Sequence, residues 1–164
     1  MILDAQNNLA ITYENQGRLE EALRLKRDVY SGRLRLYDEE SLETLIAANN
    51  YAYSFCSLER YAEAKALLRK TIPVAQRAIG ETRELCLALR TSYGRVLYYD
   101  PGATLDDLRE AVTTFEDVEP IARRVLGGAH PLTTEIQLQL QEARAALRAR
   151  ETPPANEMDE VDDT

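Results

Sequence analysis

Few side chains of this sequence could carry out catalysis. The one histidine, His130, lies in the run Gly127-Gly128-Ala129-His130-Pro131. A histidine that acts as a general base needs a positioned partner, and the sequence contains no recognisable Ser/His/Asp or Cys/His arrangement. Gly127-Gly128 also lacks the lysine and the spacing of a phosphate-binding loop. We therefore predict that the protein is not an enzyme.

Metal and cofactor chemistry find no better support. Cys56 and Cys86 lie 30 residues apart and belong to no CxxC motif. Together with His130 they do not form a spaced set of metal ligands. We expect no metal site, no cofactor and no disulfide framework, and two isolated thiols suit a cytoplasmic protein.

The charge of the chain is concentrated at one end. The net charge is −8, and residues 151–164 hold six acids and no base, so the remainder is nearly neutral. Nucleic-acid binding requires a clustered basic face, and no apolar run reaches the roughly 20 residues of a membrane helix. The N-terminus reads directly into repeat sequence without a signal peptide. We expect no nucleic acid, no membrane and a cytoplasmic location; the oligomeric state stays open.

An internal repeat organises the sequence. A shift of 42 residues carries Leu9-Ala10-Ile11-Thr12-Tyr13 onto Tyr51-Ala52-Tyr53-Ser54-Phe55. A third copy begins at the same shift, and its second half returns at a shift of 47, as when Pro73-Val74-Ala75 becomes Pro120-Ile121-Ala122. Periods of this length are typical of stacked helical units.

Each repeat has the apolar spacing of two amphipathic helices. The predicted helices cover about 3 to the break at 16–18, then 19–36, 42–57, 61–79, 83–99, 105–126 and 131–150. Asp100-Pro101-Gly102-Ala103 predicts a turn, after which Thr104 caps the next helix. Pro73 and Pro120 stand inside predicted helices, where we expect a kink or a break. Residues 151–164 should form a disordered acidic tail, which could fold back over a binding groove.

The last predicted helix has two contrasting sets of side chains. Its apolar set, expected to pack inward, is Ile136, Leu138, Leu140, Ala143 and Leu147. Its polar set, expected on a solvated outer face, is Gln137, Gln139, Gln141 and Arg144.

The run Asn7-Asn8-Leu9-Ala10, with Tyr13 and then Gln16-Gly17-Arg18-Leu19-Glu20-Glu21-Ala22, resembles the 42-residue tetratricopeptide repeat of kinesin light chains and nephrocystin-3-like proteins. Leu126-Gly127-Gly128-Ala129-His130-Pro131 resembles the loop between repeats in that family. The resemblance implies an all-α, right-handed α-solenoid with repeats at about 3–43, 44–85 and 86–130 and a capping helix at about 131–150. It also suggests the C-terminal part of a longer array. Lys26 replaces a large apolar residue of the family, so the first repeat is expected to fray.

The same resemblance implies a non-catalytic scaffold or adaptor that binds a peptide segment of a partner protein in a concave groove. The implied groove residues are Asn7, Ile11 and Glu14, then Ile46, Asn49, Tyr53 and Cys56, then Thr91, Arg95 and Tyr98. Kinesin light chains use a basic groove for acidic, Trp-containing cargo, whereas only Arg95 is basic here. The alternative is a structural or autoinhibitory C-terminal repeat region of a larger signalling or NTPase protein.

Overall fold

The computed structural model describes residues 1–152, which form seven α-helices and no strand. The helices are α1 (Ile2–Asn15), α2 (Leu19–Tyr37), α3 (Leu42–Ser57), α4 (Tyr61–Ile79), α5 (Glu84–Tyr99), α6 (Leu105–Leu126) and α7 (Pro131–Glu151). Consecutive helices pack on each other, and α5 also contacts α3 and α7. The predicted all-α, right-handed α-solenoid is confirmed. The predicted acidic tail lies almost wholly outside the described residues.

Short turns separate the helices where the sequence places polar residues and glycine. Gly17 has a φ of 74° between α1 and α2, and Glu59 has a φ of 57° at the equivalent turn between α3 and α4. Left-handed backbone closes a helix C-terminus and lets the next helix return antiparallel. The same turn is thus made by a glycine in one repeat and by a glutamate in the next.

Thr104 begins α6 with a capping box. Its hydroxyl accepts from the Asp107 amide at 3.1 Å, and the Asp107 carboxylate accepts from the Thr104 amide at 3.0 Å. The predicted N-cap is confirmed, and the two bonds satisfy amides that the first turn leaves without helical partners. Lys65 of α4 forms an ion pair with Asp107 and joins the cap to the preceding helix.

The core lies along the line where first and second helices cross. Small residues occupy these crossings, where Ala10, Ala52, Ala64 and Ala111 are fully buried. At Gly94 a Cβ atom would stand 2.7 Å from Phe115 Cζ, closer than packed carbon atoms approach. The absence of a side chain at Gly94 therefore sets how near α5 and α6 can lie.

The two internal prolines do not break their helices. Pro73 lies within continuous α4 and Pro120 within continuous α6, so of the predicted kink or break, the break does not occur at either position. Each proline frees the carbonyl four residues earlier, here that of Arg69 or Glu116. Arg69, Glu116 and the two prolines are all exposed, so water can satisfy the freed carbonyl groups.

Candidate functional site

The predicted groove residues all lie on α1, α3 and α5, the first helices of successive helix pairs. Three of them are exposed apolar side chains: Ile11 at 44%, Ile46 at 43% and Tyr53 at 50%. Ile46 and Tyr53 are seven residues apart and share one face of α3, and Ile11 is the 42-residue equivalent of Tyr53 on α1. We call the surface that carries these residues the first-helix face.

Asparagines connect neighbouring first helices across this face. Asn50 Nδ2 donates to Asn7 Oδ1 at 3.5 Å, and Ser92 Oγ donates to Asn49 Oδ1 at 3.4 Å. Asn7 and Asn49 are half-buried. Their amides thus hold the repeats in register and keep part of their hydrogen-bonding capacity for other groups.

Glu14 takes part in a polar network behind the face. Its Oε1 atom accepts from Lys26 Nζ at 2.6 Å and from Ser54 Oγ at 2.8 Å. Lys26 is only 4% exposed, so the ammonium group occupies the place of the expected apolar residue and is neutralised there. Both α1 and α2 are continuous helices, and no fraying of the first helix pair is visible.

Thr91 does not lie on the surface, and its assignment to the groove is wrong. The residue is 2% exposed, and its hydroxyl donates to the Leu87 carbonyl one turn earlier at 2.8 Å. The reason is that α5 is flanked by α3 on one side and α7 on the other. A threonine at this position is therefore covered by neighbouring helices.

Arg95 is held in place by its surroundings. Its NH1 atom lies 3.5 Å from Glu135 of α7, and its Cζ atom lies 5.7 Å from the centre of the Tyr53 ring. The side chain is 18% exposed. An arginine stacked on an aromatic ring and paired with a carboxylate offers little free positive charge to a ligand.

Tyr98 joins α5 to α7. Its hydroxyl lies 2.5 Å from Gln139 Oε1 and 2.7 Å from Glu142 Oε2. Burial, together with the adjacent carboxylate of Glu142, raises the pKa of Tyr98 above its ordinary value. The tyrosine therefore stays protonated and works as a structural link between helices.

Two expectations about α7 are wrong. Gln139, placed on the solvated face by sequence, is 7% exposed because its amide pairs with Tyr98. Leu138, placed in the core, is 53% exposed. Since Leu138 lies three residues after Glu135 and four before Glu142, these side chains share one helical face. That face extends the first-helix face onto α7.

Sequence reasoning misses Glu135, Leu138 and Glu142, because the repeat resemblance assigns α7 only the role of a capping helix. The repeat itself held the signal. A shift of 47 residues carries Thr91 onto Leu138 and Arg95 onto Glu142. The same register that selected the groove residues therefore selects their counterparts on the last helix.

The remaining candidates for chemistry are the one histidine and the two cysteines. His130 caps α7, where its Nδ1 accepts from the Leu132 amide at 3.2 Å. Cys56 is half-buried, Cys86 is buried, and burial raises the pKa of both thiols. Among residues 1–152 no three metal-binding side chains come together. In that same part of the chain no helix has the length and apolar character needed to cross a bilayer.

Stacked antiparallel helix pairs with a 42-residue repeat and linked first helices define a helical-repeat solenoid protein. Residues 1–76 match the tetratricopeptide repeat family, and the fold resembles that of kinesin light chain-like repeat proteins. Tetratricopeptide repeats mediate protein–protein interaction.

Solved structures resemble the fold over nearly the whole chain. Two crystal structures of a Podospora anserina protein, described as a kinesin light chain with nearly identical TPR-like repeats, have TM-scores of 0.79 and 0.78 at 23% identity. Each match covers 88% of this chain and 66% of the other. BtubC (BKLC) from P. vanneervenii has a TM-score of 0.57 at 16% identity, with 99% of this chain and 70% of that one covered. No curated protein sequence matches the chain.

Proposed function

We propose that the chain is a non-catalytic interaction module that binds a peptide segment of a partner protein along the first-helix face, which forms a concave groove. The observation that carries this proposal is the set of exposed apolar side chains on that face: Ile11, Ile46, Tyr53 and Leu138. Large apolar groups clustered on one face of a folded protein mark interaction surfaces.

The polar groups of the face favour an apolar ligand. The Glu14 carboxylate already accepts two hydrogen bonds, and the Tyr98 hydroxyl is engaged by α7. Binding energy must then come chiefly from burying the exposed isoleucine, leucine and tyrosine side chains. Asn7 and Asn49 can supply amide contacts to the backbone of an extended peptide.

The charges of the face argue against an acidic ligand. Arg95 and Lys26 are both mostly buried and each is paired with a carboxylate, Glu135 or Glu14. Glu142 is exposed and bonded to a neutral hydroxyl. An acidic peptide would meet more negative than free positive charge, so the proposed ligand is uncharged or basic and rich in apolar residues.

Selection from a displayed random-peptide library tests this function. We expect apolar, non-acidic sequences, and Tyr53→Ala should weaken the affinity of a selected peptide roughly tenfold, as for a central aromatic contact. Tyr37→Ala is the matched control, because Tyr37 is 51% exposed at the end of α2, away from the first-helix face. Its affinity should equal that of the wild type.

Three results would oppose the proposal. One is the failure to select any peptide, and another is selection of acidic peptides. The third is equal binding by wild type and Tyr53→Ala, with circular dichroism showing that both proteins are folded.

A further inference from the structure

The first helices α3, α5 and α7 each have a face that the preceding repeat covers. It is clearest on α7, which has no following helix among residues 1–152 and packs on α5 and α6. On α7 this face holds Thr133, Ile136 and Ala143, all 0% exposed, and the half-buried Leu140. We call these positions and their repeat equivalents the preceding-repeat face.

The repeat register identifies the same face on the other first helices. A shift of 47 residues gives the α5 set, and a further shift of 42 gives the α3 set. On α5 the face is Cys86 at 0%, Leu89 at 0%, Tyr93 at 8% and Val96 at 1%. On α3 it is Thr44 at 2%, Ala47 at 3%, half-buried Tyr51 and Ser54 at 2%. The preceding helices α4 and α2 contact α5 and α3 directly.

The equivalent residues of α1 are exposed. Ile2 is 77% exposed, Leu9 is 42% exposed, and Ala5 and Thr12 are exposed as well. An isoleucine, an alanine, a leucine and a threonine at this spacing form one stripe along the helix. The composition of the stripe matches that of the buried faces on α3, α5 and α7.

The polar contacts between first helices show the same pattern. Asn50 is bonded to Asn7, and Ser54 to Glu14, so each α3 residue pairs with α1. Asn8 and Thr12 are the α1 equivalents of Asn50 and Ser54, and both are exposed. Thr12 already makes the same hydrogen bond to the carbonyl one turn back as Ser54 does.

The far end of the solenoid has the opposite character. The α7 residues equivalent to buried Leu87, Gly94 and Leu97 are Thr134, Gln141 and Arg144, and all three are exposed. Polar side chains replace apolar ones on the side of α7 that no second helix of residues 1–152 covers. One end of the solenoid is therefore suited to water, while the α1 end has the composition of an interface.

We propose that the preceding-repeat face of α1 is a docking surface for one further helix-turn-helix repeat of the 42-residue type, which continues the solenoid on that side. Its second helix supplies an apolar or aromatic side chain over Leu9, as Tyr30 lies over Tyr51 with ring centres 5.9 Å apart. Its first helix supplies acceptors to Asn8 and Thr12, as Asn7 and Glu14 do for α3. A head-to-tail second copy would instead bring polar Gln141 and Arg144 against Leu9, so a copy of this chain is not the occupant.

An extended protein tests the proposal, with a duplicate of residues 1–42 joined before Met1 of the full chain. The duplicate presents Tyr30, Asn7 and Glu14 to the α1 face in the register that covers α3. We expect a higher Tm and a steeper urea dependence, because repeat interfaces add stability and buried surface. Leu9→Lys, made in the full-chain part of the extended protein, should lower its Tm by about 4 °C or more. The same substitution in the natural chain should change the Tm by no more than about 1 °C.

Leu138→Lys is the matched control, since Leu138 is similarly exposed but lies on α7. Leu138→Lys should change the Tm of the natural chain and of the extended chain equally. Equal effects of Leu9→Lys in the two proteins would overturn the proposal. So would a dimer of the natural chain, detected by light scattering, that Leu9→Lys dissociates, because the occupant would then be a second copy.

Discussion

Lys26 Nζ lies 2.6 Å from Glu14 Oε1, and Lys26 is the most deeply buried charged residue of the first helix pair at 4% exposure. The pair joins α1 to α2, and Ser54 extends it to α3 with a hydrogen bond to the same carboxylate oxygen. A charge thus stands at a core position that an apolar residue could fill.

Removing one partner of this pair should lower the unfolding free energy much more than replacing both partners. Glu14→Ala leaves a buried ammonium group without its carboxylate, and we expect a loss of about 3 kcal/mol in unfolding free energy. The double variant Glu14→Gln/Lys26→Met should recover most of that loss. Urea unfolding followed by circular dichroism measures both.

The exposed ion pair between Asp4 and Arg33 provides a control on the same two helices. Asp4→Asn should cost less than about 1 kcal/mol, since exposed pairs contribute little. If Glu14→Ala lowered the unfolding free energy no more than Asp4→Asn does, the expected cost of leaving buried Lys26 without its carboxylate partner would be contradicted.

Gly94→Ala should destabilise the protein by about 1–3 kcal/mol through overpacking. The added methyl group would stand 2.7 Å from Phe115 Cζ, and a buried aromatic ring cannot easily move aside. Thermal unfolding measures the loss of stability in Gly94→Ala, in Phe115→Leu and in the double variant. The loss in the double variant should be smaller than the sum of the two single losses. Gly128→Ala meets no atom within 4 Å and should be nearly neutral.

Asp107 should stabilise the fold at neutral pH and lose that effect in acid. The ion pair with Lys65 and the Thr104 amide lower the pKa of Asp107 from 3.8 to about 2. Because the folded-state pKa lies below the unfolded one, the stabilisation is present above about pH 4 and declines toward pH 2.

An NMR titration of the Asp107 carboxyl carbon reports this pKa directly. Asp107→Ala should cost about 1 kcal/mol at pH 7, as expected for loss of a capping interaction, and less at pH 3. Asp106→Ala, at a side chain that is 93% exposed, should show a smaller cost. A constant difference between Asp107→Ala and wild type from pH 7 to pH 3 would count against the proposed role.

Glu59→Gly should stabilise the protein by about 0.5–1 kcal/mol. Glu59 has a φ of 57° where the equivalent residue in the first repeat is Gly17. Left-handed backbone costs a residue with a side chain about 1–2 kcal/mol, and the greater freedom of glycine in the unfolded chain cancels part of the gain. Differential scanning calorimetry should show a higher Tm, whereas Glu43→Gly, inside α3, should lower it.

The fold could be predicted almost completely from the repeat. The breaks at Gln16-Gly17-Arg18 and Gly127-Gly128 have strong local turn chemistry, and both separate helices in the structure. The prolines were harder to interpret, because the rule for a lone helix ignores whether the freed carbonyl is exposed. Exposed Pro73 and Pro120 lie within continuous helices for that reason.

The site was less predictable, since equivalent positions of a repeat do not have equivalent surroundings. Asn7 on α1 and Asn49 on α3 are half-buried, but Thr91 on α5 is covered. The sequence shows the register and not the number of neighbours on each side. Likewise, the partner that buries Gln139 is Tyr98, 41 residues earlier, and no local pattern connects them.

Packing between neighbours also has a consequence for motion. Within the part of the chain that the structure describes, every helix contacts only helices close to it in sequence. Unfolding can therefore begin at one end and stop at a repeat boundary. With its preceding-repeat face open to water, α1 should exchange its amide hydrogens fastest and α5, held by α3, α4, α6 and α7, slowest. A bound peptide that spans both would then slow exchange most at α1, far from the rigid centre of the array.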